Sequence, residues 1–177
     1  MKKLFILALV FFTFSASGQV FNTSSTLKRG RFSVGFEPGF NINGGSDFTL
    51  FLHGGAGLTK GADLGIKVGL LRDETYIGGD VEFALGKRFS LSVGAHSYYE
   101  LGLDGTALFT FPLKNGVSIY TGLDMDIDFY DEVQLPIWAP IGLEVNMGKN
   151  MRFLFEAEIN LTDVGYHFLG GGLNFYF

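Results

Sequence analysis

The feature that most constrains this sequence is a two-residue alternation of apolar and polar side chains that runs from Arg31 to Phe177. Successive side chains of a β-strand point to opposite faces, so this period predicts strands whose two faces meet different environments. Within the alternating segments the charged residues lie on the face opposite the apolar stripe. The pattern therefore predicts an all-β fold with one face free of charge.

The alternation is divided by turn-forming residues into ten segments. We place them at 31–42, 47–59, 62–71, 76–86, 88–101, 104–114, 117–130, 133–147, 151–162 and 166–177. Short connections between consecutive strands favour antiparallel pairing. The sequence thus predicts an antiparallel up-and-down β-barrel of ten strands. Eight strands are the alternative, if the third and fourth segments, or the fifth and sixth, pair outside the closed ring.

The two predicted faces differ in bulk as well as in charge. Most strand glycines fall on the polar face, whereas aromatic and branched aliphatic residues occupy the apolar one. Ten strands carry more apolar surface than a small lumen could hold, and crowding inside a narrow ring favours glycine. We therefore expect a transmembrane barrel with lipid outside and charges in the lumen. A soluble secreted barrel with the faces reversed is the competing interpretation.

The N-terminal region is typical of an exported protein. Lys2 and Lys3 precede an apolar run that is too short to span a bilayer as a helix, and small residues follow it. We assign 1–18 to a signal peptide, 19–30 to a periplasmic N-terminal tail and 31–177 to the barrel. The formal net charge of −5 argues against a nucleic-acid partner, and nothing in the sequence predicts a cofactor.

The connections alternate in type along the chain. The even-numbered ones are tight and pair glycine with lysine, whereas the odd-numbered ones are acidic and include Glu100 and Asp104. This predicts two different barrel ends, with the short turns and both termini in the periplasm. Aromatic residues near the segment ends, such as Phe40, Phe48 and Tyr76, predict girdles at the membrane interfaces.

The chain ends in an aromatic residue with hydrophobic residues at two-residue steps before it, namely Leu173, Phe175 and Phe177. Together with the export signal and the alternating segments, this ending resembles that of bacterial outer-membrane β-barrel proteins. The resemblance implies residence in the outer membrane, with membrane lipid and the barrel-assembly machinery as partners. It implies that the three residues form the assembly signal. The sequence leaves the oligomeric state open.

Two histidines invite an enzymatic hypothesis. Outer-membrane lipid A deacylases use a histidine and a serine, but adjacent strand residues such as His96 and Ser97 point to opposite faces. His167 follows Asp163 at the predicted outer rim, where barrel proteases of the omptin type keep acidic and histidine groups. We expect both histidines to be structural.

Asp124, Asp126 and Asp128 form a D-x-D-x-D series. The places where a calcium loop would need glycine and glutamate hold Phe129 and Leu135. Strand geometry separates alternate residues by about 6.6 Å, too far for all three to bind one ion. The three aspartates are thus weak metal candidates, and a solvated lumen wall is the favoured interpretation.

A polar cluster is predicted from the second, third and fourth segments. With the turn centred between Asp73 and Glu74, Lys67 would face Asp80 directly and Glu82 diagonally, and His53 would lie opposite Lys67. Such paired charges would plug the lumen.

The sequence therefore favours a non-enzymatic outer-membrane barrel with a structural, surface or partner-binding role. Open aqueous channels need about 16 strands, which argues against general porin activity. A narrow cation-preferring pore and a lipid-modifying enzyme are the alternatives.

Overall fold

A computed structural model describes residues 25–42, 47–71 and 74–177, so the expected signal peptide lies outside the described residues. Ten β-strands make up the fold: β1 (Phe32–Ile42), β2 (Asp47–Gly57), β3 (Ala62–Leu70), β4 (Tyr76–Ala84), β5 (Phe89–Tyr98), β6 (Glu100–Pro112), β7 (Val117–Asp128), β8 (Ile137–Asn146), β9 (Met151–Asn160) and β10 (His167–Tyr176). Among the described residues, no helix is long and apolar enough to cross a bilayer.

The strands form one closed ring in chain order. Each strand pairs with its sequence neighbours in antiparallel fashion, and β1 pairs with β10 to close the barrel. The predicted ten-stranded up-and-down topology is confirmed. The eight-stranded alternative is wrong, because β3–β4 and β5–β6 both pair inside the ring.

The outer surface of the barrel is apolar, as the alternation predicts. In β1, burial alternates at every residue, so Glu37 is fully buried while Phe36 is exposed. Exposed aromatic and aliphatic side chains continue around the ring, for example Ile66, Val93, Leu103, Phe109, Leu123, Ile141 and Phe155. A tilted strand of about ten residues spans the roughly 25 Å apolar band of an outer-membrane barrel. The fold is thus of the outer-membrane type.

The ring closes where the chain ends. Phe177 and Phe32 exchange two backbone hydrogen bonds, with N···O distances of 2.9 and 3.3 Å. Leu173 and Phe175 pair with Phe36 and Val34 of β1 and lie on the outer face with them. The residues of the predicted assembly signal therefore line the closing seam. We call this end of the barrel the terminal end, and the opposite one the far end.

One connection at the far end differs from its prediction. β5 ends at Tyr98 and β6 begins at Glu100, so the turn is the single residue Tyr99, with φ of 59°. The sequence placed this turn at 102–103 and Asp104 in the connection. Asp104 instead lies inside β6 and faces the lumen, because the strands reverse three residues earlier than expected.

Tyr76 was also misassigned. The prediction placed it in an outer girdle, but its ring packs inside the barrel, 5.4 Å from the Phe51 ring. Tyr76 shares the parity of Asp80 and Glu82 on β4, so it points to the same side as those carboxylates. Phe40 and Phe48 do lie on the outer face near the far end, with ring centroids 5.3 Å apart.

The residues preceding β1 fold against the terminal end. Gly30 donates a backbone hydrogen bond to Gly57, which in turn donates to Arg31. The backbone N–H of Leu27 donates to the carboxylate of Asp63 inside the barrel. The described part of the predicted tail is therefore bound to the barrel.

Candidate functional site

The lumen near the far end holds a histidine between carboxylates. His96 Nδ1 shares a hydrogen bond with Asp104 Oδ1, and Nε2 shares one with Asp128 Oδ1, the latter over 2.6 Å. Asp126 Oδ2 lies 4.0 Å from Nδ1. We call His96, Asp104, Asp126 and Asp128 the His96 cluster.

The strand register concentrates negative charge around this imidazole. Asp104 of β6 lies directly opposite Asp126 of β7, and Thr106 lies opposite Asp124, to which its hydroxyl donates a hydrogen bond. Like charges that face each other across a strand pair are destabilising. The negative charges of these carboxylates therefore outnumber the single positive charge that His96 can supply.

A glycine provides the space for the imidazole. His96 pairs with Gly102 of β6, and a Cβ atom added to Gly102 would collide with His96 Nε2. The ring of Tyr76 lies 6.0 Å from the imidazole on another side. The side chain of His96 is 7% exposed, whereas Asp126 and Asp128 are 18% and 17% exposed. The two aspartates are thus the more accessible members of the cluster.

Sequence reasoning identified only part of this cluster. Asp124, Asp126 and Asp128 face the lumen, but the group whose ligand atoms converge is His96, Asp126 and Asp128. Asp124 is engaged by Thr106 instead. The sequence prediction places Asp104 in the connection between the fifth and sixth strands, so it does not pair Asp104 with His96. A turn centred on Tyr99 would have set Asp104 diagonally across from His96.

The middle of the lumen is organised around Lys67. His53 lies directly opposite Lys67 on β2. The predicted pairing of Lys67 with Asp80 is wrong: Lys67 faces Gly78, and Asp80 faces Gly65. The β3–β4 register is shifted by two residues from the expected one, which leaves the faces unchanged.

Lys67 nevertheless lies among carboxylates from several strands. Its buried ammonium interacts electrostatically with Glu37, Glu156, Glu158 and Asp80. It also lies 5.1 Å from the centre of the Phe51 ring, which is within the range of a cation–π contact. We call these five charged residues the Lys67 cluster.

Glu82 belongs to a separate group nearer the terminal end. It lies directly opposite Asp63, and its side chain forms a hydrogen bond with Ser90. The predicted grouping of Glu82 with Lys67 is therefore not seen. Arg152 also lies near the terminal end, where its Nη1 donates to Glu144 Oε1 over 2.9 Å. The Arg152 guanidinium lies over the Tyr176 ring, 4.8 Å from its centre.

Bulky side chains fill the space between the charged groups. The Phe51 ring makes edge contacts with the rings of Tyr76 and Phe168, and Leu154 belongs to the same buried group. Tyr120 is 1% exposed and lies against Gly142 of the neighbouring strand. We call Phe51, Tyr76 and Phe168 the aromatic layer.

The two histidines of the enzymatic hypothesis lie in different surroundings. Ser97 pairs with Ile77 and Leu101 on the outer face, opposite to His96. His167 uses Nδ1 to accept a hydrogen bond from the backbone N–H of Asn160, over 2.9 Å.

Comparisons with known proteins support no functional assignment. No protein-family model matches the chain, and no curated protein matches it. Similar solved structures include a de novo designed transmembrane β-barrel, with TM-score 0.48 and 12% identity over 86% of this chain and 100% of that one. The translocator domain of the autotransporter NalP from Neisseria meningitidis has TM-score 0.44 and 11% identity, over 83% of this chain and 87% of that one.

Proposed function

We propose that the protein is a non-enzymatic outer-membrane barrel whose lumen is closed by its own side chains, and whose role is structural, surface-facing or partner-binding. The observation that carries this proposal is the set of bulky side chains buried inside the ring. Tyr120, Leu108, Leu154 and Phe51 all point inward and are at most 5% exposed. A ten-stranded ring is only slightly wider than the eight-stranded rings that side chains alone fill.

Membrane insertion is tested first by gel mobility. Closed barrels resist SDS in the cold and migrate differently after boiling. We expect a heat-dependent shift for protein recovered in the outer-membrane fraction. Recovery in a soluble fraction without such a shift would mean that the inner and outer faces have been assigned the wrong way round.

Closure of the lumen is tested by planar-bilayer conductance. The wild-type barrel should show no discrete conductance steps. The double variant Phe51→Ala, Phe168→Ala removes two rings of the aromatic layer and should conduct. Phe109→Ala, Phe155→Ala is the matched control, because it removes two rings from the outer face and should remain silent.

A narrow cation-preferring pore is the second candidate. Inward-facing carboxylates outnumber the permanent cations Lys67 and Arg152 among the described residues; they are Glu37, Asp63, Asp80, Glu82, Asp104, Asp124, Asp126, Asp128, Glu144, Glu156 and Glu158. Such a wall would favour cations over anions. Discrete cation-selective steps from the wild-type barrel would establish this function and refute the closed lumen.

The non-enzymatic part of the proposal is tested on membrane lipid. A lipid-modifying enzyme that used His96 would alter the mass spectrum of lipid A in cells that express it. We expect identical lipid A profiles with the wild-type protein, with His96→Gln and after deletion of the gene. A lipid species that disappears in both altered strains would overturn the proposal.

A further inference from the structure

We propose that the His96 cluster binds a divalent first-row transition-metal cation. His96 Nε2, Asp126 and Asp128 would be the ligands, and Asp104 would hold the imidazole through Nδ1. The inference concerns a binding property and does not depend on whether the lumen conducts.

The first argument is geometric. One nitrogen of His96 and one carboxylate oxygen each from Asp126 and Asp128 lie within 4.8 Å of one another. Metal–ligand bonds of about 2.0–2.2 Å require ligand atoms no more than about 4.4 Å apart. To bind an ion between them, Asp128 Oδ1 would have to move from 2.6 Å to about 3.3 Å from Nε2, the separation of two tetrahedral ligands. Asp126, whose Oδ2 lies 4.0 Å from Nδ1, would have to turn toward Nε2. The ligand atoms of Asp126 and Asp128 lie closer together than the roughly 6.6 Å between alternate residues of a strand, because their side chains converge.

The second argument comes from charge. Asp104 and Asp126 face each other directly, and Asp124 and Asp128 flank Asp126 on β7. The side chain of Asp104 is only 4% exposed, yet its Oδ2 has no hydrogen-bond partner among the described residues. A buried carboxylate oxygen without a partner is costly. A divalent cation beside His96 would supply the positive charge that the surrounding strands lack.

The third argument concerns the imidazole. In metal sites, a ligating histidine commonly donates from its second ring nitrogen to a carboxylate, which fixes the orientation of the ring. Asp104 is already hydrogen-bonded to His96 Nδ1 and is placed to accept a proton from it in this way. The other nitrogen, Nε2, points to Asp128 at 2.6 Å. A metal ion that replaces the Nε2 proton would thus find its ligand already oriented.

The donor set indicates which class of cation fits. Ca²⁺ and Mg²⁺ prefer sites built from oxygen alone, whereas imidazole with carboxylates suits Zn²⁺, Mn²⁺, Fe²⁺, Co²⁺ or Ni²⁺. The partial exposure of Asp126 and Asp128 leaves the site accessible from the lumen. A metal ion could reach these ligands without opening the barrel wall.

The test uses the full-length barrel, folded in detergent and freed of metal with a chelator. Equilibrium dialysis against Zn²⁺ followed by elemental analysis should give about one bound ion per chain. His96→Gln and Asp126→Asn should reduce the retained zinc at least tenfold. Asp104→Asn removes only the support of the imidazole and should weaken binding about 10–100-fold. Heat-dependent gel mobility checks that every variant is folded.

Matched controls separate this site from adventitious binding. His167→Gln removes another histidine near the far end and should leave zinc binding unchanged. With Co²⁺ at saturation, Asp104→Asn should keep the visible absorption spectrum of the wild type, because the ligands are unchanged, whereas Asp126→Asn should alter it. A changed Asp104→Asn spectrum would refute its role as a positioning residue.

Several results would overturn the proposal. The proposal is wrong if the wild-type protein retains no zinc. It is also wrong if the His96→Gln variant retains as much zinc as the wild type. Loss of zinc in His167→Gln would assign the binding to a surface histidine. If His96→Gln does not fold, the more exposed Asp126→Asn decides the question, because undiminished binding in that variant contradicts the assigned ligand set.

Discussion

An arginine placed on the outer face at mid-height measures whether this face meets lipid. Val93 is the fifth of ten residues in β5 and is 52% exposed, and its cross-strand neighbours are Val81 and Gly105. At a rise of about 3.3 Å per residue and a tilt near 40°, it lies roughly 10 Å from the strand's start. That is close to the centre of a 25 Å apolar band. Val93→Arg should therefore lower the free energy of unfolding by about 2–4 kcal/mol.

The assay is reversible folding into lipid vesicles, followed through a guanidinium titration. Leu113→Arg is the matched control, because Leu113 is equally exposed but lies in the turn after β6, where the cost should be about 0–1 kcal/mol. In a soluble barrel both positions would meet water and both arginines would be harmless. Equal effects at the two positions would thus refute the assignment of the outer face to lipid.

Three further predictions concern packing and closure. Gly142→Ala should destabilise the barrel by about 1–3 kcal/mol because the new methyl group collides with the ring of Tyr120, whereas Gly105→Ala, which meets open space, should be nearly neutral in the same thermal unfolding assay. Arg152→Ala should cost about 1.5–3 kcal/mol in a denaturant titration, because it removes a charged hydrogen bond to a buried carboxylate. Phe177→Ala keeps the backbone bonds of the closing seam but removes the terminal ring, so it should lower the amount of folded barrel in outer-membrane fractions; normal amounts would exclude Phe177 as an assembly signal.

Strand number could be predicted from the turn-forming residues that divide the alternation, and the face assignment could be predicted because it depends on parity alone. A period of two needs only the sequence order, and an error of one or two residues at a strand end leaves the parity of the interior residues unchanged. Glu37 and Lys67 are both buried and inward-facing, as their parity required. The closed ring then follows from ten such strands joined by short connections.

Contacts across strands could not be predicted because they depend on register. A turn centred one residue away from its expected place shifts every pair along two strands by two residues. Between β3 and β4 the register differs from the expected one by two residues, so Lys67 faces Gly78 and not Asp80. The β5–β6 turn at Tyr99 had the larger effect, since it moved Asp104 from a presumed connection to the side of His96. A positive φ at a tyrosine is uncommon, so local turn chemistry gave little indication of it.

Whether the lumen is closed depends on how bulky side chains and glycines are paired across strands, which parity also cannot supply. An inward face rich in glycine could line either an open pore or a packed interior. Large inward residues lie against glycines of the neighbouring strand, as Tyr120 does against Gly142 and Phe168 against Gly39. These contacts favour the packed interior that we propose. Each glycine thus leaves room for a ring with which a Cβ atom would collide. If this complementarity closes the lumen, the carboxylates around Lys67 and His96 are held in a confined interior, where they select positive charge without requiring a pore.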